Sequence, residues 1–428
     1  MGETPHEGAA VLLELADRLW QGDEPIEQHH PVGYTGQLAA LAEDTAFLPS
    51  FANVTAFETT DGLVLVDTGG YVIAPQVHEQ IRAWSDQPLH TAIYSHGHVD
   101  HVFGVPHFEG EEGAGAARVV AHENVPRRFD RYTLTAGYNG AINARQFQLP
   151  ELAFPTEFRY PDETYRDERT LEVGGERFEL HHAKGETDDH TWTWVPSRGV
   201  LCCGDLFIWA TPNAGNPQKA QRYPRDWAAA LREMAELGAE TMLPGHGLPV
   251  MGEDRVRTAL TDTAALLESL VDQTLELMNS GATLDQVLQS VRAPRELVGK
   301  PYLQPIYDEP EFIVRNLWRL YGGWYDGDPA RLKPAPDARL AQELAAMAGG
   351  AERLAERARE LSDMGEPRLA GHLAQLAWLA EPASRLTQQT RAEVYDRRAG
   401  EEASTMARGV FAWAAAESRR AMSEEDAG

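Results

Sequence analysis

The run His96-Gly-His-Val-Asp-His101 packs three imidazoles and one carboxylate into six residues. Histidine is scarce in this chain, 15 of 428 residues, so such a cluster reads as a set of metal ligands rather than a polar surface turn. Imidazole and carboxylate together suit Zn²⁺, Fe²⁺ or Mn²⁺, and His96, His98, Asp100 and His101 are close enough to divide between two neighbouring ions. A short apolar strand pattern over residues 91–95 leads into the run and places it on a loop at a strand end.

One loop does not complete a site, and three further segments offer donors. Gly185-Glu-Thr-Asp-Asp-His190 precedes a strand-like stretch at 191–195. Residues 199–203 read as a buried strand ending at Gly204-Asp205, and Met242-Leu-Pro-Gly-His-Gly247 sets His246 on a turn between two glycines. Each candidate lies beside a short apolar run, as expected if several strand ends converge on one edge of a sheet, where helix-covered open sheets bind ligands.

The elements that must position these donors follow an α/β rhythm: strands at 54–57 and 63–66, a helix at 75–85, then the strand into His96. Residues 1–45 combine a short helical pattern at 9–17 with a His/Pro-rich connector. The stretch 127–165 reads as a long irregular loop whose Tyr138 and neighbouring amides suit a binding lid. From 255 to 297 the pattern is helical, with Leu267, Leu270, Val271, Leu275 and Met278 on one face. Beyond Asp337 the chain is rich in Ala, Leu, Glu and Arg, favouring helices, with breaks signalled at 349–350, 365–367, 381–382 and Gly400.

The loop 96–101 resembles the H-x-H-x-D-H hallmark of the metallo-β-lactamase superfamily. That resemblance implies His96 and His98 on a first metal and Asp100 and His101 on a second. It further implies Asp205 as the bridging ligand and His246, in P-G-H-G, as the last ligand of the second metal. Where the family usually has histidine this chain reads Gly185-Glu186-Thr187, so Glu186 becomes the third ligand of the first metal, rather than His190. A glutamate there narrows the resemblance to the alkyl-sulfatase branch. Asn53 in Phe51-Ala-Asn-Val-Thr55 and the segments 307–315 and 320–329 are similar to that branch as well. The segment Thr211-Pro-Asn-Ala-Gly-Asn-Pro-Gln-Lys219 departs from the branch's Arg-containing sulfate-contacting stretch.

The resemblance covers roughly residues 46 to 428 and implies an α+β/α-β fold, a metallo-β-lactamase-type αββα sandwich followed by an all-helical dimerisation domain. The expected organisation is an N-terminal extension at 1–45, a catalytic domain at 46–254, a helical connector at 255–300 and a dimerisation domain at 301–428. The implied state is a homodimer through the C-terminal helices.

Composition sets limits. A chain of 428 residues is too long for a single core. A net charge of −28 would repel nucleic acid and anionic membranes; the partner that the resemblance implies is a small-molecule ester. Cys202 and Cys203 are adjacent and read as small buried strand residues, not a bridge or a thiol ligand pair. There is no basic start with an apolar stretch behind it and no apolar run of ~18 residues, so a cytoplasmic enzyme is expected.

The ligand set implies a dinuclear hydrolase holding two Zn²⁺ per chain, with Fe or Mn also suited. A metal-bridged hydroxide near Asp205 would attack an ester, with Asp100 and Asp205 the catalytic carboxylates. The two ions bring four positive charges, which Asp100, Glu186, Asp205 and hydroxide cancel, so an anionic substrate needs side-chain help. Candidates are Lys219, Arg222 and Arg225, with Asn213 and Asn216 as neutral donors; Tyr138, Tyr307 and Tyr325 could close the pocket. His181, His182 and His190 are read as orienting partners of Glu186, and Asp67 as a partner of a ligand histidine. His29, His30, His107, His122 and His372 are assigned core or surface roles. The expected reaction is cleavage of a sulfate ester of an alkyl or small alcohol. Alternatives are a carboxylic ester, thioester or lactone hydrolase, a diiron redox protein, or a helical scaffold with a relic site.

Overall fold

The computed structural model describes residues 5–33, 35–113 and 115–427. Two compact units emerge: one runs to Ala136 and resumes over Phe154–Gly323, the other comprises Gly137–Ala153 and the chain from Trp324 onward.

The first unit is built on two sheets. The seven-stranded sheet runs in chain order through β1 (Ala39–Ala42), β2 (Thr45–Leu48), β3 (Val54–Thr59), β4 (Gly62–Val66), β5 (Leu89–Ile93), β6 (Arg118–His122) and β7 (Glu163–Tyr165). Strands β1 to β4 pair antiparallel, and β4 to β7 pair parallel. The six-stranded sheet comprises β8 (Glu168–Val173), β9 (Glu176–Ala183), β10 (His190–Val195), β11 (Val200–Gly204), β12 (Thr241–Pro244) and β13 (Val250–Met251), with β11 and β12 parallel.

Alternation along the strands explains why these sheets stack. In β3 to β6, Phe57, Val64, Val66, Ile93 and Val120 point inward against Phe178 and Leu180 of the second sheet. Their neighbours Ala56, Leu63, Leu65, Ala92 and Val119 point outward and are buried by α2 (Ala74–Trp84), α3 (Val105–Glu109) and α4 (Val125–Leu134). Strand β4 is buried on both faces, hence its unbroken apolar run. The second sheet is covered by α6 (Pro224–Ala235) and α7 (Glu253–Asn279). Trp227, Leu231 and Met234 supply the buried stripe of α6, and Leu267, Leu270 and Val271 part of that of α7. The result is an αββα sandwich, preceded by α1 (Pro5–Gln21) and followed by α8 (Leu284–Ser290), α9 (Arg295–Val298) and α10 (Pro310–Gly322).

The stretch 127–165 is not the irregular lid its composition suggests. It holds most of α4 and all of α5 (Ala136–Phe147), the latter falling almost wholly in the second unit. Val125, Arg128, Phe129 and Tyr132 are buried on one face of α4, so its aromatic residues are core. Gly137, Asn139, Gly140 and Asn143 are poor helix formers and hide α5 from a propensity reading; Asn143 Nδ2 donates to the Asn139 carbonyl (2.8 Å) along the helix.

The second unit is otherwise made of α11 (Pro329–Leu332), α12 (Asp337–Ala348), α13 (Ala351–Asp363), α14 (Pro367–Ala380), α15 (Arg385–Glu401) and α16 (Thr405–Ala427). The breaks expected near 349, 365 and 381 are real. The break signalled at Gly400 falls just after it: α15 ends at Glu401 and α16 begins at Thr405. No helix among the described residues is long and apolar enough to cross a membrane.

Candidate metal centre

The parallel pairs aim their loops at one edge. Strands β4 and β5 run together and deliver Asp67 and the 96–101 loop; β11 and β12 deliver Asp205 and His246; the β9–β10 connection brings Glu186. The seven donors meet there in two groups. His96, His98, Glu186 and Asp205 form one, and Asp100, His101 and His246 the other, each with donor atoms within 4.8 Å of one another.

Asp205 faces both. Its Oδ2 lies 3.7 Å from His96 Nε2 and 3.3 Å from His246 Nε2, and its Oδ1 lies 3.5 Å from His101 Nε2. Asp100 Oδ2 is 3.6 Å from His101 Nε2 and 3.5 Å from His246 Nε2. His96 Nε2 is 2.8 Å from His98 Nδ1, which stands 3.8 Å from Glu186 Oε1. This closeness depends on Gly245: a Cβ there would lie 2.1 Å from Asp205 Oδ1.

The histidines are aimed from behind. His101 donates Nδ1–H to Asp67 Oδ2 (2.7 Å), and His246 donates Nδ1–H to the Phe51 carbonyl. Ser95 Oγ spends its hydrogen on Asp67 Oδ2 (2.7 Å), so its contact with His96 Nδ1 (2.9 Å) is one in which the imidazole donates. Three Nε2 lone pairs are thereby presented to the gap. Asp67 does this from a left-handed backbone, φ 59°, a conformation non-glycine residues adopt at a cost and mainly where the surroundings enforce it.

Electrostatics reflect the crowding. Burial holds His96 and His98 well below the usual imidazole range. Burial also acts to lower His101, but Asp205, Asp67 and Asp100 outweigh it and hold that imidazole well above its ordinary value. Glu186 is pushed well up by burial, with Arg222 opposing and Asp205 adding to the rise. Asp205 is held well down: burial would raise it, and His246, His101 and His96 overcome that. Among the described residues, His101 Nε2 and Asp205 Oδ1 are buried with no hydrogen-bond partner although they face each other. Buried lone pairs of this kind, from four imidazoles and three carboxylates in two groups, fit a pair of divalent cations.

The other expected residues fall as follows. Asn213 Nδ2 and Arg222 Nη2 (3.1 Å) both donate to Glu186 Oε1, so these two residues orient it. His181, His182 and His190 do other work, because their strands turn them away from that carboxylate. His181 stacks on Trp192, His182 stacks on His122 and bonds the His190 carbonyl (3.0 Å), and His190 Nε2 accepts from the Asp205 amide (3.1 Å). Lys219 is half-buried beside this region, its ammonium pushed down to about 8 by burial and then by Arg222. Asn216 is buried and its Oδ1 accepts from the Gln218 amide (3.1 Å), while Arg225 is exposed. Tyr307 is half-buried against the core, its ring edge-on to His30. Tyr138 and Tyr325 belong to the second unit and are exposed. Sequence reasoning missed Arg128 and Asp189, a buried ion pair against the histidine loop (2.6 Å). It also missed Asn316, whose side chain holds the Arg222 backbone from α10, Nδ2 to the carbonyl (3.1 Å) and Oδ1 to the amide (3.3 Å).

Two stacked sheets between helices, with histidine and carboxylate donors gathered at one edge, define a metallo-β-lactamase-type domain. The metallo-beta-lactamase superfamily profile matches residues 48–246, and the alkyl sulfatase dimerisation profile matches 283–421. A linear primary-alkylsulfatase of Pseudomonas sp. is 30% identical over 364 residues, covering 79% of this chain and 69% of the relative. An (R)-specific secondary-alkylsulfatase of Pseudomonas sp. is 27% identical over 410 residues, covering 88% and 61%. The solved structure of the stereoselective inverting sec-alkylsulfatase Pisa1 from Pseudomonas sp. superposes with a TM-score of 0.81 at 24% identity, covering 90% of this chain and 66% of that one. The chain belongs to the alkyl sulfatase branch of the metallo-β-lactamase superfamily, with that branch's dimerisation domain.

Proposed function

We propose that the chain is a dinuclear zinc hydrolase cleaving the sulfate ester of an alkyl or small alcohol, and that it works as a homodimer through its C-terminal helices. The observation that carries the dinuclear reading is Asp205, one carboxylate facing both donor groups. His96, His98, Glu186 and Asp205 would hold one ion and Asp100, His101 and His246 the other, with Asp205 shared. When bound, such a pair supplies Lewis acidity and brings the pKa of water toward about 7.

The chain's own residues do the rest. Arg222 and Asn213 fix Glu186, and the guanidinium offsets that carboxylate's charge, which restores attraction for an anionic ester. Lys219 adds a second cation nearby. Asp100, with a fifth of its side chain exposed, stands where a proton released in hydrolysis can pass to solvent. The relatives named as alkylsulfatases support the sulfate ester as substrate.

Metal analysis of protein purified without added metal, followed by a panel of alkyl sulfates, aryl sulfates, phosphodiesters and lactones, tests this. Two zincs per chain and turnover confined to sulfate esters are expected. Iron with visible absorbance, or turnover of lactones alone, would overturn it, and sedimentation as a monomer would overturn the dimer.

A further inference from the structure

Asp189 is fully buried, and its Oδ2 accepts from Arg128 Nε (2.6 Å) and from the Gly97 amide (3.2 Å). Arg128, buried on α4, also reaches Asp188 Oδ1 through Nη2. Gly97 is the residue between His96 and His98. A Cβ there would meet Arg128 Cδ at 2.9 Å and Asp189 Oδ2 at 3.0 Å, so the ion pair packs directly on that turn.

The same short segment reaches the other two donors of this group. Asp189 follows Glu186 by three residues, and its neighbour His190 accepts from the Asp205 amide (3.1 Å). Asn124, at the start of α4, fixes the segment further by donating from Nδ2 to the Asp188 carbonyl (3.1 Å). The second group is held by different means: Asp67 behind His101, the Phe51 carbonyl behind His246, and Asn53 on the turn that carries it. A buried ion pair adds little stability over apolar residues of similar volume, so its worth here lies in direction. An amide held by a carboxylate fixes the peptide plane from which two imidazoles project.

We infer that Arg128 and Asp189 form a positioning pair for His96, His98 and Glu186, the donors of the first group that the second does not share, and so set that group's affinity for a divalent cation. The inference rests on the dinuclear reading above.

Calorimetric titration of metal-free protein with Zn²⁺ tests it, with the melting temperature of the metal-free form read in parallel. Wild type shows two binding events. Glu186→Gln and His246→Ala assign them, each weakening one. Asp189→Asn weakens the Glu186-assigned event about 10- to 100-fold and leaves the other unchanged. Arg128→Met combined with Asp189→Asn removes both charges, so it regains the melting temperature lost by a single variant while keeping the weakened event. If the double variant regains full affinity together with its melting temperature, the pair acts through stability only and the inference falls. Equal weakening of both events, or of neither, also overturns it. A wild-type chain that takes up no zinc would overturn the dinuclear reading itself.

Discussion

Arg222 Nη2 lies 3.1 Å from Glu186 Oε1, with both residues only 2% exposed. A ligand glutamate by itself would make the centre less attractive to an anion than histidine would. The guanidinium reverses that by one charge, at the oxygen to which Asn213 also donates. Charge-assisted hydrogen bonds of this kind are worth about 1.5–3 kcal/mol. Arg222→Gln is therefore expected to lower kcat/KM for an alkyl sulfate about 10- to 100-fold, while a neutral carboxylic ester, if turned over at all, changes little. Steady-state kinetics on the two substrates check the difference.

Glu186→His restores the donor usual in the wider family but strips Arg222 of its counterion. Breaking a buried pair from one side costs about 3–5 kcal/mol. The expected variant unfolds at lower urea and binds less metal. A gain in both metal occupancy and turnover would show that the glutamate has no such role.

Much of the site was legible because its signals are short-range. Four donors in six residues, a glycine-flanked histidine and an aspartate at a strand end need no tertiary information. The strand pattern alone carried only an α/β rhythm; the two-sheet sandwich was implied by the resemblance to the metallo-β-lactamase superfamily. What stayed hidden depends on partners far apart in the chain. Arg128 meets Asp189 across 61 residues, and in sequence it looks like a solvated arginine on a polar stretch. Glu186 was found by its place in a motif, yet its partners Asn213 and Arg222 arrive from a loop that reads as generic turn. The histidines beside Glu186 misled because sequence proximity says nothing of which face a strand turns toward the site. In β9, His181 and His182 stack on Trp192 and His122, while His190 of β10 stacks on His96 and accepts from the Asp205 amide rather than orienting Glu186.

Lys219 gives the proposed anion site a pH dependence. Its ammonium titrates at about 8, pushed down by burial and by Arg222, so its charge is present below that pH and lost above it. KM for an anionic ester is expected to rise as pH increases through about 8. Lys219→Arg keeps its charge throughout and should flatten that rise. An identical KM–pH profile in the variant would remove Lys219 from substrate binding.

His122 and His182 stack at 3.7 Å between ring centroids, 11° from parallel. Burial, followed by the neighbouring His182, lowers His122 to about 4 from an ordinary 6.5. Between those values the unfolded chain binds the proton and the folded one does not. Stability therefore falls as pH drops from 6.5 toward 4. In metal-free protein, His122→Phe preserves a ring for the stack and should shrink the loss of melting temperature over that window. A parallel decline in variant and wild type would show that other groups cause it.

Asn53 holds the turn that carries His246. Its amide donates to the Gly245 carbonyl (2.7 Å), and its Nδ2 donates to the carbonyls of Pro244 (2.9 Å) and Gly247 (2.8 Å). Its Oδ1 accepts from the Ser50 amide (3.0 Å), which ties the turn to the loop whose Phe51 carbonyl receives His246 Nδ1–H. Asn53→Ala leaves two buried carbonyls without these donors and should cost about 2 kcal/mol of stability. It should also weaken metal at the Asp100/His101/His246 group about tenfold by letting His246 swing, with the other group unaffected. Asn53→Asp separates the two halves of the side chain: it keeps the acceptor for Ser50 but cannot donate to the turn. If donation is what matters, the aspartate variant releases zinc to a colorimetric chelator as fast as the alanine one. Release at the wild-type rate from either variant would mean that the β12 backbone alone places His246.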